Sequence, residues 1–387
     1  METDSKKHAL FALNIFTFLL TLHTTLPVYI NSSYISNFLA EKSVGLVYTL
    51  ASILTIIAII FTNKLLRKFG NYKIVFWLLI FEVISLLGIN YAGSTIPLVV
   101  LFCLNFITIG LLGFTTDIFL ENLSSVASTG KTRGVFLTSA NTAWIVSALI
   151  TSFILTDGDY WKIYIASAIL FIPIIFLVRV NFKNFKDQTY EKISYPQEII
   201  KTLKNKNLRS IVFATFLLQF FYAWMTIYMP IYLHNHIGFN WTSIGIIFAI
   251  MLLPFIITEI PLGKLADNKW GEKEMLCVGF LIISLSTALI SFIDAKNIII
   301  WTAVLFVTRI GASVIEIMTE TYFFKIVNPK DSGIVGIFRS ARPLAYIVSP
   351  VIATILLSFL DIRYMFIGLG VILFLGAGAS LVLEDTK

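Results

Sequence analysis

Long apolar runs, separated by short polar breaks, dominate this chain. A helix of about 20 apolar residues spans a bilayer core at about 1.5 Å rise per residue. Runs of that order fall near 9–30, 43–62, 74–91, 97–120, 134–156, 163–180, 209–232, 241–262, 275–293, 298–324, 334–359 and 364–383, and predict twelve membrane helices. The shortest are 74–91, 163–180 and 275–293. Prolines at 27, 97, 173, 230, 254, 343 and 350 lie within or at the ends of these runs, where neighbouring helices can satisfy the freed carbonyls. The one long hydrophilic connection, 181–208, separates six runs from six. Pro196 opens a short segment in it whose Ile199, Ile200 and Leu203 share a face, the pattern of an amphipathic helix lying at the membrane surface. The expected organisation is therefore 1–180, a cytoplasmic linker over 181–208, and 209–387.

The two parts repeat one another. Pro27-Val28-Tyr29-Ile30 parallels Pro230-Ile231-Tyr232-Leu233, and Ser43-Val44-Gly45-Leu46 parallels Ser243-Ile244-Gly245-Ile246. Asp117 and Glu121 parallel Glu316 and Glu320, and Ala143-Trp144-Ile145-Val146-Ser147 parallels Ala345-Tyr346-Ile347-Val348-Ser349. All keep one order and an offset of about 200 residues. The charged loop Pro261–Lys273 between two apolar runs must lie in water, with Gly263, Asp267 and Gly271 at its close-approach, acceptor and turn positions. A degenerate copy spans 63–73, where Asn63 and Arg67 replace the glycine and aspartate.

Gly263-x-Leu265-Ala266-Asp267, followed by Gly271 and a basic residue, resembles the signature loop between helices 2 and 3 of each half in the major facilitator superfamily, with one residue inserted before the second glycine. The resemblance implies an all-α membrane protein of twelve transmembrane helices in two pseudo-symmetric six-helix bundles. It also implies transport by alternating access, with the first, fourth, seventh and tenth helices lining a central cavity.

Composition agrees with this class. The 387 residues are 57% hydrophobic and 13% charged, against about 25% charged in soluble domains. The net charge of +7 suggests nucleic acid until its distribution is read. With the N-terminus inside, 22 of the 29 Lys and Arg residues fall in cytoplasmic segments, Lys42, Lys162, Lys296 and Arg363 fall in outer loops, and Arg309, Arg339 and Arg342 lie within runs. That bias is a topology signal; it predicts cytoplasmic termini and no nucleic-acid partner. Lys6 and Lys7 before an apolar run mimic a signal peptide, but the run is long and lacks a small-x-small cleavage site, so a retained first helix is expected. Cys103 and Cys277 read as buried small hydrophobes, and no spacing suggests a metal or cofactor. Frequent Ile, Lys, Asn and Phe point to an AT-rich prokaryote, and hence to its inner membrane.

The candidate chemistry lies in the few charges inside the runs, each costing about 2.5–3.5 kcal/mol on insertion scales. Arg309 stands about eleven residues into the tenth run, roughly 16 Å deep. The resemblance makes it a substrate or coupling residue; the alternative is a structural charge paired with a carboxylate. Glu316, two turns on, is the first choice for a proton carrier and Asp117 the second. Gly263, Asp267, Glu320, Arg339 and Arg342 form an expected cytoplasmic gate. Glu82, on a helix that is peripheral in the family, is expected to make a helix–helix hydrogen bond, and Glu259 to support the Gly263 loop.

Polar stripes add Asn14, Thr17, Thr21 and Thr24 on the first helix, with His23 beside them, and Gln219, Tyr222 and Thr226 with Trp224 on the seventh. His23 reads either as a titrating group or as a hydrogen-bonded core histidine. Asn105 stands where another family signature begins with arginine, and the glycine-proline signature of drug/proton antiporters is missing from 134–156. The expected function is a proton-coupled secondary transporter of a small organic solute, acting as a monomer in the lipid bilayer. No P-loop motif is present for ATP drive. Its rivals are a facilitated uniporter, a non-transporting sensor and a membrane-embedded transferase, and the short outer loops offer such an enzyme no catalytic cluster.

Overall fold

The computed structural model describes residues 2–123, 129–155, 158–185, 187, 195–258, 271–327 and 332–384. Among these residues eleven helices are long and apolar enough to cross a membrane, and Thr138–Ile154 adds a shorter apolar helix. There is no strand among them. Twelve spans is thus the architecture that the apolar runs predict.

The helices are α1 (Glu2–Ser36), α2 (Glu41–Phe69), α3 (Asn71–Asn90), α4 (Thr95–Leu123), α5 (Thr129–Ile154), α6 (Tyr160–Ile169), α7 (Phe171–Asn181), α8 (Tyr195–Lys204) and α9 (Lys206–Ile231). After a π-turn at Tyr232–His236 come α10 (Trp241–Met251), α11 (Glu272–Leu289), α12 (Ile298–Ile326), α13 (Ser332–Leu357) and α14 (Met365–Leu381). Asn205 caps α9 by accepting from the backbone N–H groups of Asn207 and Leu208 at 3.0 and 3.1 Å. Asn297 caps α12 in the same way. These side chains fill orphan donors at helix starts.

Two of the departures from the hydropathy pattern have a physical reason in the structure. α1 runs on past Ile30 to Ser36 because its polar end is buried: Tyr164 Oη donates to Asn31 Oδ1 at 2.8 Å, and Ser32 and Ser33 are inaccessible. The sixth span covers Tyr160–Asn181 but is broken at Leu170 into α6 and α7. Pro173 lacks an N–H, so the carbonyl of Ile169 has no helical partner there.

The chain forms two compact units. One comprises Met1–Ala40, Leu50–Lys192 and Asn240–Gly245; the other comprises Glu41–Thr49, Ile193–Phe239 and Ile246–Lys387. In the first, α1 packs on α4, α5, α6 and α7, and α3 on α4, α6 and α7. In the second, α9 packs on α12, α13 and α14, and α11 lies against α12 and α14. α8 rests on α9 and α13, burying Thr202 while Ile199, Ile200 and Leu203 stay exposed. α2 and α10 each lend their first turns to the unit that holds little else of their own repeat.

The repeated Ser-x-Gly motif sits in both lent turns. A Cβ at Gly45 would lie 2.9 Å from Pro350 Cβ, and one at Gly245 would lie 2.3 Å from Ser152 Cβ and 2.8 Å from the Ala148 carbonyl. Only glycine permits these approaches.

Candidate functional site

Charged candidates within the described spans gather in two polar clusters, one in each unit. In the second, α9 and α12 bring Arg309, Phe221, Tyr222 and Glu316 together. Arg309 is 5% exposed. Its guanidinium carbon lies 4.8 Å from the centre of the Phe221 ring and 6.0 Å from that of Tyr222, a desolvated cation on aromatic faces. Tyr222 Oη donates to Glu316 Oε2 at 2.7 Å. Tyr222 and Glu316 are half-buried, unlike the fully buried Phe221.

Glu316 feels further charges. Glu320 on its own helix and Arg339 and Arg342 on α13 all act on it electrostatically. Arg339 grips Glu320 with both terminal nitrogens, at 2.5 and 3.2 Å, a fork-to-carboxylate pair of the geometrically specific kind. Phe323 and Phe338 stack beside it, centroids 4.0 Å apart. Arg342 is exposed. Gly263, Asp267 and Glu259 lie outside the described residues.

The other residues of the seventh-helix set divide by face. Trp224 belongs to a fully buried ladder with Phe220 and Tyr228, centroids 5.5 and 6.0 Å away, and faces the packing of its unit. Gln219 is half-buried, one turn before Tyr222.

The first unit's cluster is wholly interior. His23 and Glu82 are both 0% exposed, with Nε2 and Oε1 3.1 Å apart. Asn105 Nδ2 donates to the same carboxylate oxygen at 2.6 Å, and the Thr108 hydroxyl donates to the other. His23 Nδ1 faces Ser167, and the ring meets Phe171 edge-on at 4.2 Å. Four spans thus contribute to one network. Glu82 makes the helix–helix contact its position suggested, and its partner is His23.

Among the described residues, Asn14 and Thr21 join neither cluster. Asn14 and Thr21 are half-buried, and the Thr21 carbonyl accepts the Thr24 and Thr25 hydroxyls at 3.0 and 2.8 Å. Of the first-helix stripe, Thr24 is thus satisfied by its own backbone, as threonines in helices often are, whereas the buried Thr17 hydroxyl has no hydrogen-bond partner among the described residues. Asp117 is half-buried on α4. Thr108 and Ser167 were missed by sequence reasoning. The i, i+3 spacing of Asn105 and Thr108 was a usable signal; Ser167, a lone serine in an apolar run, offered none.

These clusters sit in a fold with known relatives. The Major Facilitator Superfamily model matches residues 9–253 and again 211–387. The chain is 22% identical to Multidrug resistance protein 2 of Bacillus subtilis (strain 168), over 97% of this chain and 94% of that protein. It is 28% identical to the Probable L-galactonate transporter of Escherichia coli (strain K12), over 38% of this chain and 32% of that protein. Among solved structures, nucleoside transporter NupG aligns with a TM-score of 0.74 at 14% identity, over 97% of this chain and 100% of that one. A bacterial homolog to human lysosomal transporter Spinster, inward-facing and unoccupied, aligns with a TM-score of 0.70 at 11% identity, over 98% and 93%. At such identities the structures speak for the fold alone. With its sequence matched from end to end and eleven helices long enough to span a membrane, the chain belongs to the major facilitator superfamily and is an integral membrane transporter rather than an enzyme.

Proposed function

We propose that this protein is a secondary active transporter that moves a small organic solute by alternating access, driven by protons. The observation that carries this reading is Arg309, a buried cation laid on Phe221 beside the Tyr222–Glu316 hydrogen bond. A guanidinium on an aromatic floor suits a solute with an anionic or hydrogen-bonding group and a flat or apolar part. Glu316 is the carboxylate that exchanges its tyrosine partner for a proton as its surroundings change, with Asp117 the second choice. Asn14, Thr21, His23, Gln219 and Trp224 complete the set of substrate and coupling candidates.

The working unit is a monomer of two six-helix bundles, 1–180 and 209–387, joined by the cytoplasmic linker 181–208. Both termini lie in the cytoplasm of a prokaryote, and the protein works in the inner membrane. Gly263, Asp267, Glu320, Arg339 and Arg342 form the cytoplasmic gate. Curated relatives include a multidrug resistance protein and a probable sugar-acid transporter, which supports an organic solute.

The test is uptake by proteoliposomes, using panels of sugar acids, nucleosides and amphipathic drugs under an imposed pH gradient. The expected result is accumulation of one class, abolished by a protonophore and lost in R309A. Uptake indifferent to the gradient would remove the coupling claim, and no uptake of any class would remove the transport claim for these solutes.

A further inference from the structure

The interior cluster of the first unit fixes a proton count, and the reasoning begins at Pro27 in α1. Proline has no N–H, so the carbonyl four residues earlier, that of His23, loses its helical partner. The Ser167 hydroxyl fills the gap, donating to the His23 carbonyl at 2.8 Å. A hydroxyl has one proton to give. Its oxygen, 2.7 Å from His23 Nδ1, therefore offers that nitrogen only lone pairs. The other neighbour of Nδ1 is the Ser167 carbonyl at 3.1 Å, also an acceptor. Nδ1 must carry a hydrogen.

Across the ring, Nε2 faces Glu82 Oε1. Asn105 donates to the same oxygen, and the Thr108 hydroxyl, whose one proton also has the Asn105 carbonyl 2.8 Å away, meets the other. One further proton must sit on the pair, on Nε2 or on the carboxyl, making it neutral as a whole. Without it a bare carboxylate would lie in a site with no access to water, at a cost of several kcal/mol. We propose that His23 and Glu82 form a one-proton binding site, loaded in this structure and unloaded when α1 bends at its Pro27 break to admit water.

The other ionisable groups on the surrounding helices are engaged elsewhere or distant. Tyr164 on α6 binds Asn31, and Lys162 pairs with Asp159 at 2.6 Å. Asp117 lies about three turns along α4 from Asn105. Cys103 on α4 is buried and reduced, and Tyr29 on α1 stacks edge-on with Trp144. Lys73 and Arg179 stand near the ends of α3 and α7, more than two turns from Glu82 and Ser167. The segment of α5 over 135–155 has no ionisable side chain. The proton is therefore held by these two side chains. As the station of a transport-coupling proton the site rests on the reading above; as a proton-binding site it does not.

The test needs no solute. Proteoliposomes of the full chain on a solid-supported membrane are stepped in pH, the proton being the only probe. Wild type should displace charge on the step, with a component that belongs to the His23–Glu82 pair. E82Q keeps an acceptor for His23 and Asn105 and should lose this component, whereas E316Q should retain it. H23Q removes the base and should lose the component as well. E82Q and H23Q both folding with the wild-type displacement would overturn the site. Should E82Q fail to fold, H23Q decides alone: a lost component supports the site, and an unchanged one overturns it. Failure of the transport reading would appear separately, as absent pH-driven uptake with the charge displacement intact.

Discussion

The clusters of the two units differ in how they treat charge. In the first, an acid and a base are both sealed from water and bound to each other, with Asn105, Thr108 and Ser167 as hydrogen-bonding partners and Phe171 against the ring. In the second, Arg309 is buried on aromatic rings, while Glu316 is half-exposed and shares its surroundings with Glu320, Arg339 and Arg342. The contrast shows that burial alone does not mark a ligand site. A closed pair has no valence left for a solute, whereas a carboxylate held by a single tyrosine hydroxyl can change partners.

Breaking the sealed pair should have the largest effect. H23L leaves Glu82 buried without its base and should cost about 3–5 kcal/mol, by analogy with other broken buried pairs. A lowered thermal midpoint of the purified protein would register this. The double variant H23L/E82L should recover most of the loss, since apolar replacements of buried pairs are often tolerated. If the single variant is as stable as wild type, the sealed pair is not the energetic feature described.

On the open side the effects should fall on function before stability. R309A removes a desolvated cation–aromatic contact worth up to about 2 kcal/mol, and should weaken binding of the transported solute by more than tenfold, read as loss of ligand-induced thermal shift. R309K, which keeps the charge without the planar face, should fall between the two. E316Q keeps an acceptor for Tyr222, so stability should change by less than about 0.5 kcal/mol, while the pH dependence of uptake disappears. A large stability loss in E316Q would mean that this carboxylate, too, is structural. Smallest of all should be the exposed Glu320–Arg339 pair: a double-mutant cycle should return about 0.2–1 kcal/mol and shrink with added salt.

Much of the fold was legible because hydrocarbon imposes a length on each helix. The places where the runs misled are polar residues that are buried by protein. Asn31, Ser32 and Ser33 look like the end of a span, yet α1 continues through them because Tyr164 and its neighbours cover that turn. Arg309 stood out as a candidate because a cation in an apolar run is costly wherever it points, and the stripe on the seventh helix named Tyr222, which the structure places beside it. The sealed network was only half readable. His23 and Glu82 stood out singly, but their pairing depends on which faces of α1 and α3 meet, a tertiary fact that no spacing within one helix contains. Ser167 gave no signal because its role is set by a proline on another span.

The interior network draws His23 from the first span, Glu82 from the third, Asn105 and Thr108 from the fourth and Ser167 from the sixth. During synthesis these spans leave the ribosome in that order, and each enters lipid as a separate helix before docking. The histidine carbonyl exposed by Pro27 waits for the last of them, so a nascent chain halted after the fifth span carries an unfinished bundle. Quality control that recognises exposed polar groups in the bilayer would have its target in such a chain, and lose it once the sixth span arrives.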